Sequence, residues 1–247
     1  MSNSEQEKSK KLLQDALLEL RRTKGRLQSI EMAQAEPIAV VGMGCKFPGG
    51  VESPDALWEM LKNGVDAITD MVDERWNGEE YYDADPEAPG KLYTKGNGLV
   101  SDVDMFDADF FGIAPIEARL MDPQQRLLME STWNALEHAG IAPQSLFDTN
   151  TGVFVGICHQ GYSHLQAKYS GLEAISPYSG TGNAHSIASG RLSYLLGVHG
   201  PSISVDTACS SSLVALHLAV QSLRKGESDV ALAGGVNLIL EPTTSMI

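Results

Sequence analysis

The stretch "VDTACSSSLVALHLAV", residues 205–220, places one cysteine, Cys209, between a strand-like run and a segment apolar on nearly every side. A thiol at the start of a helix gains two chemical advantages. The unpaired N–H groups and the positive end of the helix dipole favour a thiolate, and the same N–H groups can hold an oxyanion. The small neighbours Thr207, Ala208, Ser210 and Ser211 permit the tight turn that such a nucleophile elbow needs, although the glycines that usually flank an elbow are missing. Residue type alone leaves two readings open, because free cysteine is also among the most buried of residues. Asp206, three residues earlier, would raise the thiol pKa if it faced the sulfur, and it is read as structural.

No histidine is an evident base for Cys209. His217 follows eight residues later on the same helix, about 12 Å along the axis and out of reach. His138 lies near a helix end, where a cation suits the dipole. His159, His164, His185 and His199 fall in glycine- and serine-rich segments that do not fix their reach. The segment "HQGYSH" (159–164) is a weak metal motif without a Cys or carboxylate partner at zinc-like spacing, and no metal is expected. Neither "VGMGCKFPGG" nor "GTGNAHSIASG" is a nucleotide loop: each lacks GxGxxG at a strand-to-helix junction, and there is no Walker lysine. They are read as packing and turn devices.

The elements that must position the cysteine can be read from apolar runs and their stops. "PIAVVGMG" (37–44), "TGVFVGI" (151–157), "PSISVD" (201–206) and "DVALAGGVNLIL" (229–240) read as buried strands. Between them, 53–64 reads as a helix with Ser53 as N-cap, Pro54 at the first position and Gly64 as stop; 122–140 is a second, capped by Asp122 and ended by Gly140. Strands alternating with helices predict an α/β domain with an at least partly parallel sheet. Leu213, Val214, Ala215, Leu216, Leu218, Ala219 and Val220 cover every side of the helix after Cys209, which predicts a buried central helix. Residues 65–115 are rich in Asp, Gly and Pro, but Trp76, Tyr81, Tyr82, Tyr93, Phe106, Phe110 and Phe111 predict an ordered excursion.

Residues 4–31 differ from the rest. Leu13, Leu17, Leu20 and Leu27 step by four, three and seven, a heptad seam with Lys24 at its weak point and Gly25 lowering helix propensity. This helix is either a solvated leader or a dimerising and docking element, and "AQAEP" is the hinge that ends it, since the residue before Pro37 is driven out of helical geometry.

The 247 residues, 43% of them hydrophobic, suffice for one large core or two small ones. A net charge of −14 argues against sequence-blind nucleic-acid binding. The charged N-terminus is unlike a signal peptide, no run of about twenty apolar residues could span a bilayer, and three cysteines, Cys45, Cys158 and Cys209, form no even disulfide set. The expectation is a cytoplasmic protein with no membrane contact.

Taken together, "EPIAVVGMGCKFPGG", "DPQQRLLMESTWNALEHAG", "TGVFVGI", "GTGNAHSIASGRLSYLLGVHGPSISVDTACSSSLVALHLA" and "ALAGGVNLIL" resemble the β-ketoacyl synthase (ketosynthase) domain of modular polyketide synthases, within the thiolase-fold condensing enzymes. The resemblance covers residues 36–247 and implies the N-terminal half of a thiolase-like α/β fold, a mixed sheet with a buried central helix, preceded by a coiled-coil helix at 1–35. It implies that Cys209 accepts an acyl chain by thioester exchange from the phosphopantetheine arm of an acyl carrier protein, with its backbone N–H in the oxyanion hole. A malonyl-type carbanion formed by loss of carbon dioxide then makes the carbon–carbon bond. No directly bound cofactor is implied.

The leader is similar to the docking coiled coils that open such subunits, which implies a homodimer receiving the C-terminal tail of an upstream synthase subunit. Arg21, Arg22, Lys24 and Arg26 make a basic patch suited to an acidic tail. The family's two histidines and lysine are expected beyond Ile247, so Cys209 is expected to find its base outside these residues. Two readings follow: the front part of a condensing ketosynthase, or a docking and dimerisation fragment that does not elongate chains. A thiolase-like transferase using coenzyme A directly is disfavoured by the leader and by "DTACSSS". A half-domain is also expected to leave an apolar face uncovered.

Overall fold

The computed structural model describes residues 3–70, 75–171, 173 and 175–246. The chain divides into two units, Met1–Ala39 and Val40–Ile247. The first is built on one helix, α1 (Asn3–Ala35), which runs unbroken through Gly25. Leu13, Leu17, Leu20 and Leu27 are all exposed along it, as are Arg21, Arg22, Lys24 and Arg26. Both the heptad seam and the basic patch therefore stand free on this unit.

In the second unit, α2 (Pro54–Lys62) starts and stops as its residues dictate. The Ser53 hydroxyl accepts the Ala56 N–H at 3.2 Å, Pro54 takes the first helical position, and Gly64 adopts φ +62 just past the end. The excursion that follows contains the two-residue strands β1 (Thr69–Asp70) and β2 (Gly96–Asn97), paired antiparallel, and the short helix α3 (Gly78–Tyr81); its residues 71–74 lie outside the described set. It is ordered by aromatic packing: Phe110 meets Phe111 and Trp133 edge to face at 4.9 and 4.8 Å, and Phe106 stacks on Phe111 at 5.3 Å.

After α4 (Pro115–Leu120) comes α5 (Pro123–His138), whose N-cap is Asp122. Its carboxylate accepts the Gln124 N–H at 2.8 Å, and Gly140 adopts φ +66 beyond the C-terminus. Then come β3 (Thr151–Gly156), α6 (Gly161–Ser170), α7 (Pro177–Asn183), α8 (His185–Leu196), β4 (Ser202–Val205), α9 (Ser211–Lys225) and β5 (Val230–Gly235). The main sheet has the order β4-β3-β5 and is parallel throughout the described strands. Strand β3, at its centre, is buried along its whole length. Val153 and Val155 face a core shared with Leu128, Met129 and Leu136 of α5 and Ala188, Leu192 and Leu196 of α8. Phe154 faces the other way, onto Ala215 and Ala219 of α9. The result is three layers: α5 and α8, the sheet, and α9.

Three expectations are corrected, the first being the last apolar run: 229–240 is strand only over Val230–Gly235, and beyond it Leu238 and Leu240 pack in a small cluster with Val100. Residues 37–44 form no strand among the described residues. Apolar character marks a strand only when a neighbour takes its N–H and C=O groups, and this run instead brings Gly42 and Gly44 onto α5. A Cβ at either would lie 2.3–2.4 Å from the Ala135 or Ser131 carbonyl oxygen, and Met43 donates its N–H to His138 Nδ1 at 3.3 Å. Val40 is left 78% exposed. Likewise α9 is not buried all round: Ser211, Ala215, Ala219 and Ser222 face the sheet, while Leu213 is 69% exposed and Leu216 is exposed beside it. The described residues cover one side of this helix only.

No Cβ at Gly25 would meet anything within 4 Å. Gly25→Ala is therefore expected to stabilise α1 by about 1 kcal/mol, slowing amide exchange in its middle turns about fivefold. Unchanged exchange would show that this stretch of α1 is not helical in solution.

Candidate active site around Cys209

Strand β4 ends at Val205, and the chain reverses through Asp206–Ser210 before α9 begins at Ser211. Within that elbow Ala208 adopts φ +53, a left-handed conformation that costs a non-glycine residue about 1–2 kcal/mol. Several bonds hold it there. Asp206 Oδ1 accepts the Ala208 N–H at 3.0 Å. Ser211 Oγ accepts the Thr207 N–H at 2.9 Å and donates to the Ala208 carbonyl at 2.7 Å, bracing both sides of the strained residue. Ser210 Oγ lies 2.8 Å from both the carbonyl and the hydroxyl of Thr207. Ser211 is only 5% exposed, whereas Cys209 is presented to solvent at the crest of the turn.

Two glycines set the elbow's position against the sheet. A Cβ at Gly156, the last residue of β3, would lie 2.6 Å from the Ser211 carbonyl carbon and the Ser212 nitrogen; one at Gly235, the last of β5, would lie 2.6 Å from Ser212 Cβ. The first turn of α9 thus rests on two strand ends that only glycine permits. Sequence reasoning missed this pair; its signal was a glycine closing each of two neighbouring apolar runs.

The segment after β3 is also pinned. Ile157 donates its N–H to the Val205 carbonyl at 3.1 Å, extending the ladder one step. The His159 carbonyl accepts from Gln124 Nε2 at 2.8 Å and lies 3.2 Å from His185 Nε2. Gln124 is buried at the start of α5, next to Asp122, Gln125 and Arg126. Burial pushes the Asp122 carboxyl up, opposed by the two bonds from Gln124 and by the charges of His185 and Arg126. Arg191 ties the same group to α8, through Gln125 Oε1 at 3.0 Å and Glu117 Oε1 at 2.6 Å. This buried polar cluster was also missed; its signal was "DPQQR" opening an otherwise buried helix.

The structure brings Thr207, Ala208, Ser210 and Ser211 together around Cys209, and it gives Asp206 the structural bond expected of it. It does not bring His217 there; that side chain is exposed on α9. Leu13, Leu17, Leu20, Leu27, Arg21 and Arg22 belong to the other unit. Cys158 is half-buried, and burial first, then the Asp206 carboxylate and the Cys209 sulfur, hold its pKa above the ordinary thiol value; burial does the same to Cys45. Among the described residues no cluster of His, Cys, Asp and Glu could hold a metal ion, and no helix is long and apolar enough to cross a membrane.

An exposed cysteine at the crest of a strand–elbow–helix on a parallel α/β sheet defines a candidate nucleophile scaffold, and comparison with known proteins gives its family. Residues 35–246 match the family model described as the β-ketoacyl synthase N-terminal domain. The chain belongs to the β-ketoacyl synthase family, as the N-terminal portion of a ketosynthase domain of the modular polyketide synthase type, with the thiolase-like fold of the condensing enzymes. It is 54% identical over 215 residues to a phenolphthiocerol/phthiocerol polyketide synthase of Mycobacterium tuberculosis, covering 87% of this chain and 14% of that protein. To the pikromycin polyketide synthase component PikAII of Streptomyces venezuelae it is 50% identical over 245 residues, 99% of this chain and 6% of that one. Among solved structures, the oxazolomycin ketosynthase domain OzmH KS7 of Streptomyces albus JA3453 superposes with a TM-score of 0.76 at 37% identity, over 84% of this chain and 35% of that one. The module 6 ketosynthase of the bacillaene synthase of Bacillus subtilis 168 gives 0.72 at 38% identity, over 84% and 33%. The chain therefore spans about a third of the length of these solved ketosynthases and a small part of the curated synthases.

Two outcomes are expected. Ser211→Ala removes both braces of Ala208 and should lower unfolding stability by about 1–3 kcal/mol, read from urea denaturation; an unchanged midpoint would mean the hydroxyl does not hold the elbow. Iodoacetamide near pH 7.5 should alkylate exposed Cys209 ahead of Cys45 and Cys158, whose raised pKa values leave less thiolate, and the latter two should gain rate as the pH rises past the ordinary thiol value. Peptide mapping after timed quenching checks the order.

Proposed function

We propose that this chain supplies the acyl-accepting part of a β-ketoacyl synthase, with Cys209 as nucleophile. The observation that carries the reading is the exposure of Cys209 on a left-handed elbow braced by buried Ser211, within a chain of this family. Cys209 sulfur attacks the thioester carbonyl of an acyl group carried on the phosphopantetheine arm of an acyl carrier protein. The tetrahedral oxyanion is held by the backbone N–H of Cys209, the pantetheine thiol leaves with a proton, and the acyl chain stays on Cys209. A malonyl-type extender then loses carbon dioxide, its carbanion attacks the acyl-cysteine carbonyl, and the Cys209 thiol is released as the new carbon–carbon bond forms. Thr207, Ala208 and Ser210 shape the turn.

The groups that assist decarboxylation, two histidines and a lysine in the family resemblance, come from the remainder of the domain in this reading. The uncovered side of α9, with Leu213 and Leu216, and the exposed Ile203 on edge strand β4 support a further layer packing there.

Residues 1–35 act as the docking and dimerisation element ahead of the ketosynthase part at 36–247. The exposed leucine seam suits pairing with a second copy, and Arg21, Arg22, Lys24 and Arg26 suit the acidic tail of an upstream subunit. No nucleic acid, membrane or metal enters the reaction, no cofactor is bound directly, and the free thiol suits a reducing cytoplasm.

Incubation with an acylated carrier protein, followed by intact-protein mass spectrometry, tests the proposal. The wild-type chain is expected to gain the mass of one acyl group and Cys209→Ala to gain none while keeping its circular dichroism spectrum. Acylation that persists in the folded variant would overturn the assignment.

A further inference from the structure

The alternation of β3 carries a second thiol to the same place. Val153, Val155 and Ile157 share the core beneath the sheet, whereas Phe154 faces α9 and a Cβ on Gly156 would meet the first residues of that helix. Successive side chains on a strand point to opposite faces, and the ladder continues through the Ile157 N–H to the Val205 carbonyl. Cys158 therefore follows Phe154 and Gly156 on the α9 side, one step beyond the point where Gly156 touches Ser211. The bonds to the His159 carbonyl fix the backbone on the other side of it. Burial first, then the Asp206 carboxylate and the Cys209 sulfur, raise the Cys158 pKa, whereas burial is the cause at Cys45.

We propose that Cys158 is the resolving thiol for Cys209, and that the two close an intrachain disulfide across the end of the β3–β4 pair when Cys209 meets a hydroperoxide. The thiolate of Cys209 attacks the peroxide oxygen, giving a sulfenic acid and releasing hydroxide or alkoxide. The Cys158 thiolate then attacks the Cys209 sulfur, the S–S bond forms, and the second oxygen leaves as water once protonated. The two cysteines are oxidised by two electrons and the hydroperoxide is reduced by two. A dithiol reverses the change through a mixed disulfide. The exposed thiol reacts first, and the half-buried thiol captures the sulfenic acid as a disulfide before further oxidation to sulfinic acid. Oxidised chain would accept no acyl group, and reduction would restore the acceptor. Disulfide closure does not depend on Cys209 accepting acyl groups, so the two readings fail separately.

The test uses the whole chain with hydrogen peroxide at neutral pH, followed by iodoacetamide and mass spectrometry of the intact protein and of its non-reduced peptides. The expected result is loss of two hydrogens, a cross-linked peptide pair containing Cys158 and Cys209, one alkylated cysteine, Cys45, and complete reversal by dithiothreitol. Cys158→Ser and Cys158→Ala should instead take up oxygen on Cys209 as sulfinic acid, while the untreated variants still alkylate at Cys209 as the wild type does. Sulfinic acid at Cys209 in the wild type with Cys158 still free, a disulfide joining two chains, a bridge to Cys45, or no oxidation at all would each overturn the proposal. The wild-type measurement decides the matter even if the variants do not fold.

Discussion

The close approach of the first turn of α9 to the ends of β3 and β5 is the constraint on which the site depends. Gly156 and Gly235 let Ser211 and Ser212 sit against the sheet at distances no side chain would allow. With the helix start fixed there, the five residues joining β4 to α9 must turn sharply, and the turn closes by placing Ala208 in the left-handed region. Buried Ser211 then bonds to both sides of Ala208, so the strain is held by the element that creates it. Cys209 is lifted to the crest as a consequence. A thiol on such a support keeps its position without a flexible loop, which suits the acyl-accepting role proposed for it.

Much of this was legible before the fold was seen, because the signals are local. Ser53 and Asp122 cap their helices through their own side chains, and Gly64 and Gly140 end them in positive φ. The runs at 151–157 and 201–206 became neighbouring parallel strands, and Cys209 fell in the turn where the apolar pattern changes period. The failures share one cause: pattern reports what a segment could bury, not what lies beside it. The run 37–44 has strand character but, among the described residues, no strand partner, and it spends its glycines on contact with α5. Helix α9 is apolar all round, but the described residues cover only the side that meets the sheet. That the end of β3 abuts the first turn of α9, at Gly156 against Ser211 and Ser212, was invisible until the strands were paired in register.

The buried "DPQQR" cluster links the site to the rest of the second unit. Gln124 reaches from α5 to the His159 carbonyl and accepts the Leu238 N–H at 3.4 Å, while Arg191 joins α8 to Gln125 and Glu117. Buried polar groups are retained when every partner is supplied, and they then define one arrangement in preference to its neighbours. Here that arrangement is the spacing of the β3 and β5 exits, between which α9 begins. The helix of the first unit leaves its leucines and arginines exposed, which suits the docking and dimerisation role proposed for it.

The most direct test of a strained elbow carrying the acyl acceptor is a crystal structure of the chain after reaction with a short acyl thioester. The expected result is acyl density on Cys209 Sγ, with its carbonyl oxygen toward the Cys209 N–H, Ala208 still at positive φ, and Ser211 Oγ still bonded to Thr207 and Ala208. Acyl density on another cysteine, or Ala208 relaxed to negative φ with the Ser211 hydroxyl turned to solvent, would contradict it.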